Sequence, residues 1–149
     1  MGIYKQGLDR KQQLLFPPSL DELVDDNNIA RAIEEYVNIL NISKLKIKTK
    51  KSLLADGQPA FHPKLLLKIY VYGYLNKIRS SRKLENEIKR NIELMWLTQG
   101  LTPSYKTIAN FRKDNPKALQ TIFKEFSILL KNIKLITGDI VAVDGAYLR

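Results

Sequence analysis

Cysteine is absent from the 149 residues, and histidine occurs once, as His62. Disulfide frameworks and Cys-rich zinc modules are thereby excluded, and a lone imidazole cannot build a His-based metal site. Neither a Ser–His–Asp set nor a glycine-rich phosphate loop is present, which leaves little room for enzymology without nucleic acid. Also missing is any apolar run approaching the ~20 residues that span a membrane. The start, Met1 to Gly7, lacks the apolar core of an export signal. These absences predict a cytoplasmic protein in a reducing compartment, with no membrane partner.

Acidic residues are scarce as well: 15 Asp and Glu face 25 Lys and Arg, for a net charge of +10. The imbalance is uneven. Up to Ser43 there are 4 basic and 7 acidic residues, whereas the remainder holds 21 basic and 8 acidic ones. A mildly acidic front and a strongly basic remainder point to a polyanionic partner, first of all nucleic acid. With 44% hydrophobic residues, the chain can bury one ordinary core.

Residues 1 to 18 read as an extended arm, because Pro17-Pro18 forbids helix there, and Leu14, Leu15 and Phe16 are expected to tuck against a neighbour. Ser19 caps a short turn, Leu20 to Val24. Asp26 or Asn27 is placed to cap a helix whose apolar stripe is Ile29, Ile33, Tyr36, Val37 and Leu40, with Arg31, Glu34, Glu35 and Asn38 on a solvated outer face. From Ser43 to Lys51, lysines alternate with Leu45, Ile47 and Thr49, a period of two that suits an exposed strand or extended loop. That stretch is either a solubilising edge or a phosphate-tracking arm. Asp56-Gly57-Gln58-Pro59 forms a turn that closes a first subregion, residues 1–56.

A second subregion, 57–137, is expected to be a helical core. Pro63 suits the first position of a helix reaching Asn76 that is apolar nearly all round, with Lys64 and Lys68 its clear polar residues. Gly73 in its middle costs ~1 kcal/mol of helix propensity and suggests that another helix approaches closely there. Ser80-Ser81 caps the next helix, Arg82 to Arg90, with Leu84 and Ile88 inward and Glu85 paired to Lys89. Arg79, Arg82, Lys83, Lys89 and Arg90 crowd around it. Asn91 caps a short helix with Ile92, Met95 and Trp96 on its inner face, ending at Gly100.

Thr102-Pro103 then supplies a cap and a first-turn proline for a helix running to Asp114. Burying Ile108 and Phe111 turns Tyr105, Lys106, Ala109, Asn110, Arg112 and Lys113 toward solvent. Such a face combines an Arg capable of bidentate contacts, an Asn able to read adenine and lysines for phosphates. An ordinary amphipathic surface helix has the same spacing. A long amphipathic helix follows from Pro116 to Leu135, carrying Leu119, Ile122, Phe123, Phe126, Leu130 and Ile133. After Gly138, Ile140 to Asp144 is apolar without alternation, as in a strand buried on both faces. Residues 138–149 are therefore expected to begin a second domain.

Several stretches together carry a family resemblance. They are Phe16-Pro17-Pro18-Ser19-Leu20-Asp21-Glu22-Leu23-Val24, Gly57-Gln58-Pro59-Ala60-Phe61-His62-Pro63, the block from Tyr72 to Trp96, Thr107-Ile108-Ala109-Asn110-Phe111-Arg112, and Val141-Ala142-Val143-Asp144-Gly145. Over nearly its whole length the chain resembles the N-terminal part of an insertion-sequence DDE transposase with an InsH-type N-terminal domain. The resemblance implies a mainly α, helix-turn-helix-like DNA-binding domain followed by the first strand of an incomplete RNase H-like domain. It also implies binding to double-stranded DNA at transposon terminal repeats for cut-and-paste transposition. Asp144 would be the first of three catalytic, metal-ligating carboxylates that hold two Mg2+ ions ~3.5 to 4 Å apart in the full-length enzyme. The second Asp and the Glu have no counterpart, so this stretch is expected to bind no metal and to be inactive alone. Two other readings stay open: a non-catalytic DNA-binding regulator, and a helical module that assembles into a homo-oligomer through its acidic front and basic remainder.

Overall fold

The computed structural model describes residues 4–48 and 60–132. Their architecture is mainly α. After a 3-10 turn at Asp21–Leu23 come α1 (Ile29–Asn38), α2 (Pro63–Leu75), α3 (Ser81–Arg90), α4 (Ile92–Thr98), α5 (Tyr105–Asp114) and α6 (Pro116–Asn132). None of the described residues lies in a strand. The strand expected at Ile140 to Asp144, with Asp144 itself, falls outside the described residues.

The core is built around α2. Pro63 opens it, with the His62 side chain accepting a hydrogen bond from the Lys64 N–H, and seven of its residues from Leu66 to Gly73 are buried. Against it pack α1, through Ala30, Ile33 and Val37, and also α4 and α6. Tyr36 joins α1 to α6: its hydroxyl donates to the Ile122 carbonyl at 3.2 Å, and its ring meets Phe126 at 4.9 Å. The tyrosines of α2 serve the same packing. Tyr70 donates to the Ile108 carbonyl, Tyr72 to Glu93, and Tyr74 stacks on Phe123 at 4.5 Å. Burial raises the pKa of Tyr36, Tyr70 and Tyr72, so all three stay neutral donors.

Gly73 does what its position promised. A Cβ built there would lie 2.7 Å from the Ile78 carbonyl oxygen and 3.1 Å from Leu84 Cδ2 of α3. The same turn is closed by the Ile78 N–H donating to the Gly73 carbonyl at 2.8 Å. Absence of a side chain thus lets the chain fold back tightly and bring α3 against α2.

Several local expectations are corrected. Asn28, not Asp26 or Asn27, caps α1 by accepting from Ala30 N–H. Arg31 and Glu34 are not merely solvated. Arg31 donates to the carbonyls of Asp21, Val24 and Asp25 and to the Asp21 carboxylate, while Glu34 pairs with Lys68, whose side chain is only 13% exposed. The inner face of α4 is Leu94, Leu97 and Thr98; Ile92 is exposed, and Met95 and Trp96 are half-buried. Trp96 does pack against the core, and its edge donates to Asp21 at 3.0 Å beneath the Arg31 guanidinium. Ser104 caps α5, and Pro103 is buried ahead of it rather than in its first turn.

No strand forms at Ser43 to Lys48. Residues 42 to 46 turn instead, Lys46 takes a left-handed φ of 55°, and Ile47 is buried. The buried Asn115 grips the segment's end, accepting from Lys48 N–H at 2.6 Å and donating to its carbonyl at 3.3 Å. The arm does not tuck in either, since Leu15 and Phe16 are 87% and 85% exposed.

Replacing Gly73 with alanine is expected to destabilise the chain by ~1–3 kcal/mol, because the clash is with backbone and a packed leucine. Urea unfolding measures it. Helix propensity alone predicts the opposite sign, a gain of ~1 kcal/mol.

Candidate nucleic-acid interface

Apart from Arg79, in the connection between α2 and α3, the basic residues singled out for DNA lie on two helices that the fold packs together, α3 and α5. Inward, α3 buries Leu84 and Ile88 and α5 buries Ile108 and Phe111. Ser80 caps α3 by accepting from Lys83 N–H, and Ser104 caps α5 by accepting from Thr107 N–H. Each helix therefore starts at a defined residue, which fixes the rotation of its outer face.

Three contacts lock the pair. Glu85 of α3 accepts the Tyr105 backbone N–H at the first turn of α5 and also pairs with Lys89 at 3.3 Å. Arg82 lies 4.0 Å over the Tyr105 ring, a cation–π distance. Arg112 donates to the Arg79 carbonyl at 3.2 Å, tying α5 to the α2–α3 connection. The carboxylate sits where α5 exposes unpaired N–H groups, which favours its charged form. Chiefly through the Tyr105 hydrogen bond, the Glu85 carboxyl is held below its usual range.

The outer face of α5 carries Lys106, Asn110 and Lys113 at i, i+4 and i+7, all exposed and so in one stripe. On α3 the exposed set is Arg82, Lys83, Asn86, Lys89 and Arg90. Asn86 was not singled out from the sequence, although its place between the two basic pairs marks it. Not all of this charge is unopposed. Glu87 pairs with Arg90, which is the first cause of its lowered pKa, and Glu85 holds Lys89. Two residues expected to face solvent do so only in part: Tyr105, beneath Arg82, and Ala109 are half-buried.

Beside Arg79 and Arg112 opens a cleft of about 310 Å³ between α2, α5 and α6, with Tyr70, Tyr74, Leu119 and Phe123 in its walls. No local sequence signal marked this cleft, because α2 on one wall is far along the chain from α5 and α6 on the other. Among the described residues, no helix is long and apolar enough to cross a membrane.

Residues 18–114 match the family described as Transposase domain (DUF772), about two thirds of the chain. The chain belongs to that transposase-domain family. The matched span contains α1 to α5 and ends with the last residue of α5, so the α3–α5 pair lies wholly within the transposase domain while α6 follows it. No curated protein and no solved structure matches the chain.

The α3–α5 lock has a pH signature. With its pKa lowered on folding, Glu85 contributes stability that is full above the ordinary carboxylate value and is lost as pH falls through the depressed one. Glu85→Gln is expected to remove that acid-side dependence and to loosen α5, seen as faster amide exchange at Tyr105 to Ile108 near neutral pH. Unchanged exchange there would show that Glu85 does not hold the junction.

Proposed function

We propose that this transposase-family chain is a DNA-binding region that recognises transposon ends, with α5 as the reading helix of a helix-turn-helix-like domain and α3 packed against it. One observation carries the reading: Lys106, Asn110 and Lys113 form an exposed stripe on α5, flanked by Arg82 and Lys83 of the helix locked against it. An α-helix fits the major groove of B-DNA. There Asn110 can pair bidentately with adenine N6 and N7, while Lys106 and Lys113 meet phosphates or guanine edges. Lys83, Arg79, Lys89 and Arg90 supply phosphate contacts, which set orientation and most of the affinity. Arg112 acts both as a contact and as the tether of α5 to Arg79.

In this reading double-stranded DNA of the terminal repeat is the partner. Asp144 is a catalytic carboxylate and Mg2+ ligand of a longer DDE enzyme, joined there by an Asp and a Glu from further along. Among the described residues no group of three His, Asp or Glu could hold a metal ion, and Asp144 lies outside them. DNA binding as proposed passes through no metal.

For ~6 phosphate contacts, the slope of log affinity against log salt is expected near −5, a loss of ~10³-fold between about 50 and 200 mM. Lys106→Ala should flatten the slope by about 1, whereas Asn110→Ala should cost ~1–3 kcal/mol on the terminal repeat and little on a scrambled duplex. Titrations followed by fluorescence anisotropy decide. Salt-insensitive binding, or equal losses on both duplexes for Asn110→Ala, would overturn the proposal.

A further inference from the structure

The apolar arm before Ser19 has no part in that DNA face, and the cleft between α2, α5 and α6 shares with it only Arg79 and Arg112 at its rim. We infer that they are two halves of one contact, in which residues 14–18 of one copy seat in the cleft of a second copy and the exchange is reciprocal.

The arm offers an unpartnered apolar ligand. Leu14, Leu15 and Phe16 are 49%, 87% and 85% exposed, an unusual concentration for three successive residues. Pro17-Pro18 stiffens the chain directly after a bend at Leu15 and Phe16, and preformed proline-containing segments dock in aromatic-lined grooves at low entropic cost. Such a groove is what the cleft provides. Its walls carry Tyr70, Leu119 and the Tyr74–Phe123 stack, and its volume of about 310 Å³ has room for an aromatic ring with an adjoining proline.

The charges on the two sides are of opposite sign. Arg79 and Arg112 line the cleft, whereas Glu22, Asp25 and Asp26 follow closely behind the arm and are exposed. The chain's own arm is rooted elsewhere. Asp21, held by Arg31 and Trp96, fastens the root at α4, whereas α5 and α6 wall the cleft. A second copy supplies the same arm with its root unconstrained by this chain. Reciprocal exchange of one segment gives a closed, two-fold symmetric dimer with no open end.

The absence of cysteine makes a clean test, independent of DNA. Single variants Gln13→Cys, an exposed residue just before the seated segment, and Gln120→Cys, in the cleft wall, are mixed and treated with a short thiol-specific bifunctional reagent. The contact predicts a mixed cross-linked dimer far more abundant than that from Gln13→Cys mixed with Glu35→Cys, an exposed site on α1. Equal yields in the two mixtures would overturn it. So would a Gln13→Cys/Gln120→Cys double variant that cross-links only within one chain, since the arm would then serve its own cleft. In sedimentation, Phe16→Ser should weaken self-association roughly 10²- to 10⁴-fold, as expected for losing the burial of two phenylalanines, one per copy. A chain monomeric with or without Phe16 would equally refute the inference. Phe16 makes no core contact, so loss of folding does not confuse the result.

Discussion

The fold depends on a helix with almost no face for water. Nearly every side chain of α2 is apolar, and the cost of leaving such a surface exposed obliges other elements to cover it on several sides. Helices α1, α4 and α6 do so directly. At Gly73 a missing side chain lets α3 come within contact of α2 itself. Even the polar atoms of α2 are used for attachment: Tyr70 fixes α5, Tyr72 fixes the start of α4 through Glu93, and Lys68 pairs with Glu34 of α1. A half-buried pair of this kind is weak evidence of added stability, but removing either partner alone would leave a partly desolvated charge. Its plainest effect is to fix how α1 is rotated on α2.

The basic face follows from that arrangement. Because α3 is held through Leu84 at Gly73 and α5 through Tyr70, the two cationic helices are positioned from the same central element. Glu85 then joins them directly. Acid in a region otherwise selected for positive charge lowers its pull on a polyanion, and Glu85 and Glu87 oppose Lys89 and Arg90. What Glu85 contributes is geometry: it satisfies the Tyr105 N–H and so fixes which residues of α5 face outward. Electrostatic attraction is long-ranged and tolerant of detail, whereas reading base edges needs a helix held in one rotation.

Much of this was legible in the sequence where one local rule spoke alone. Pro63, Ser80 and Asn91 mark helix starts through backbone chemistry, and the inward pairs Leu84/Ile88 and Ile108/Phe111 follow from helical spacing. The failures have equally physical causes. In α4 the run Ile92, Leu94, Met95, Trp96, Leu97 is apolar on nearly every side, so periodicity had no polar stripe by which to orient it. At α5, Thr102-Pro103 has the form of a cap and first-turn proline, but Pro103 is buried ahead of the helix and Ser104 caps it. Alternating lysines from Lys44 imitate a strand, but the buried Ile47 and the grip of Asn115 on Lys48 are long-range effects. For the same reason the sequence showed the Glu85–Lys89 pair, four residues apart on one helix, and not the Glu85–Tyr105 bond, which spans two.

The central claim is that α5, held by α3, is the surface a transposon end meets. An NMR titration of the chain with the element's terminal repeat, and separately with a scrambled duplex, tests it most directly. The account predicts that amide shifts specific to the repeat cluster at Lys106, Asn110 and Lys113, with Lys83 and Arg82 shifting on both duplexes. Shifts confined to the arm or to α6, or none on α5 that distinguish the two duplexes, would contradict it.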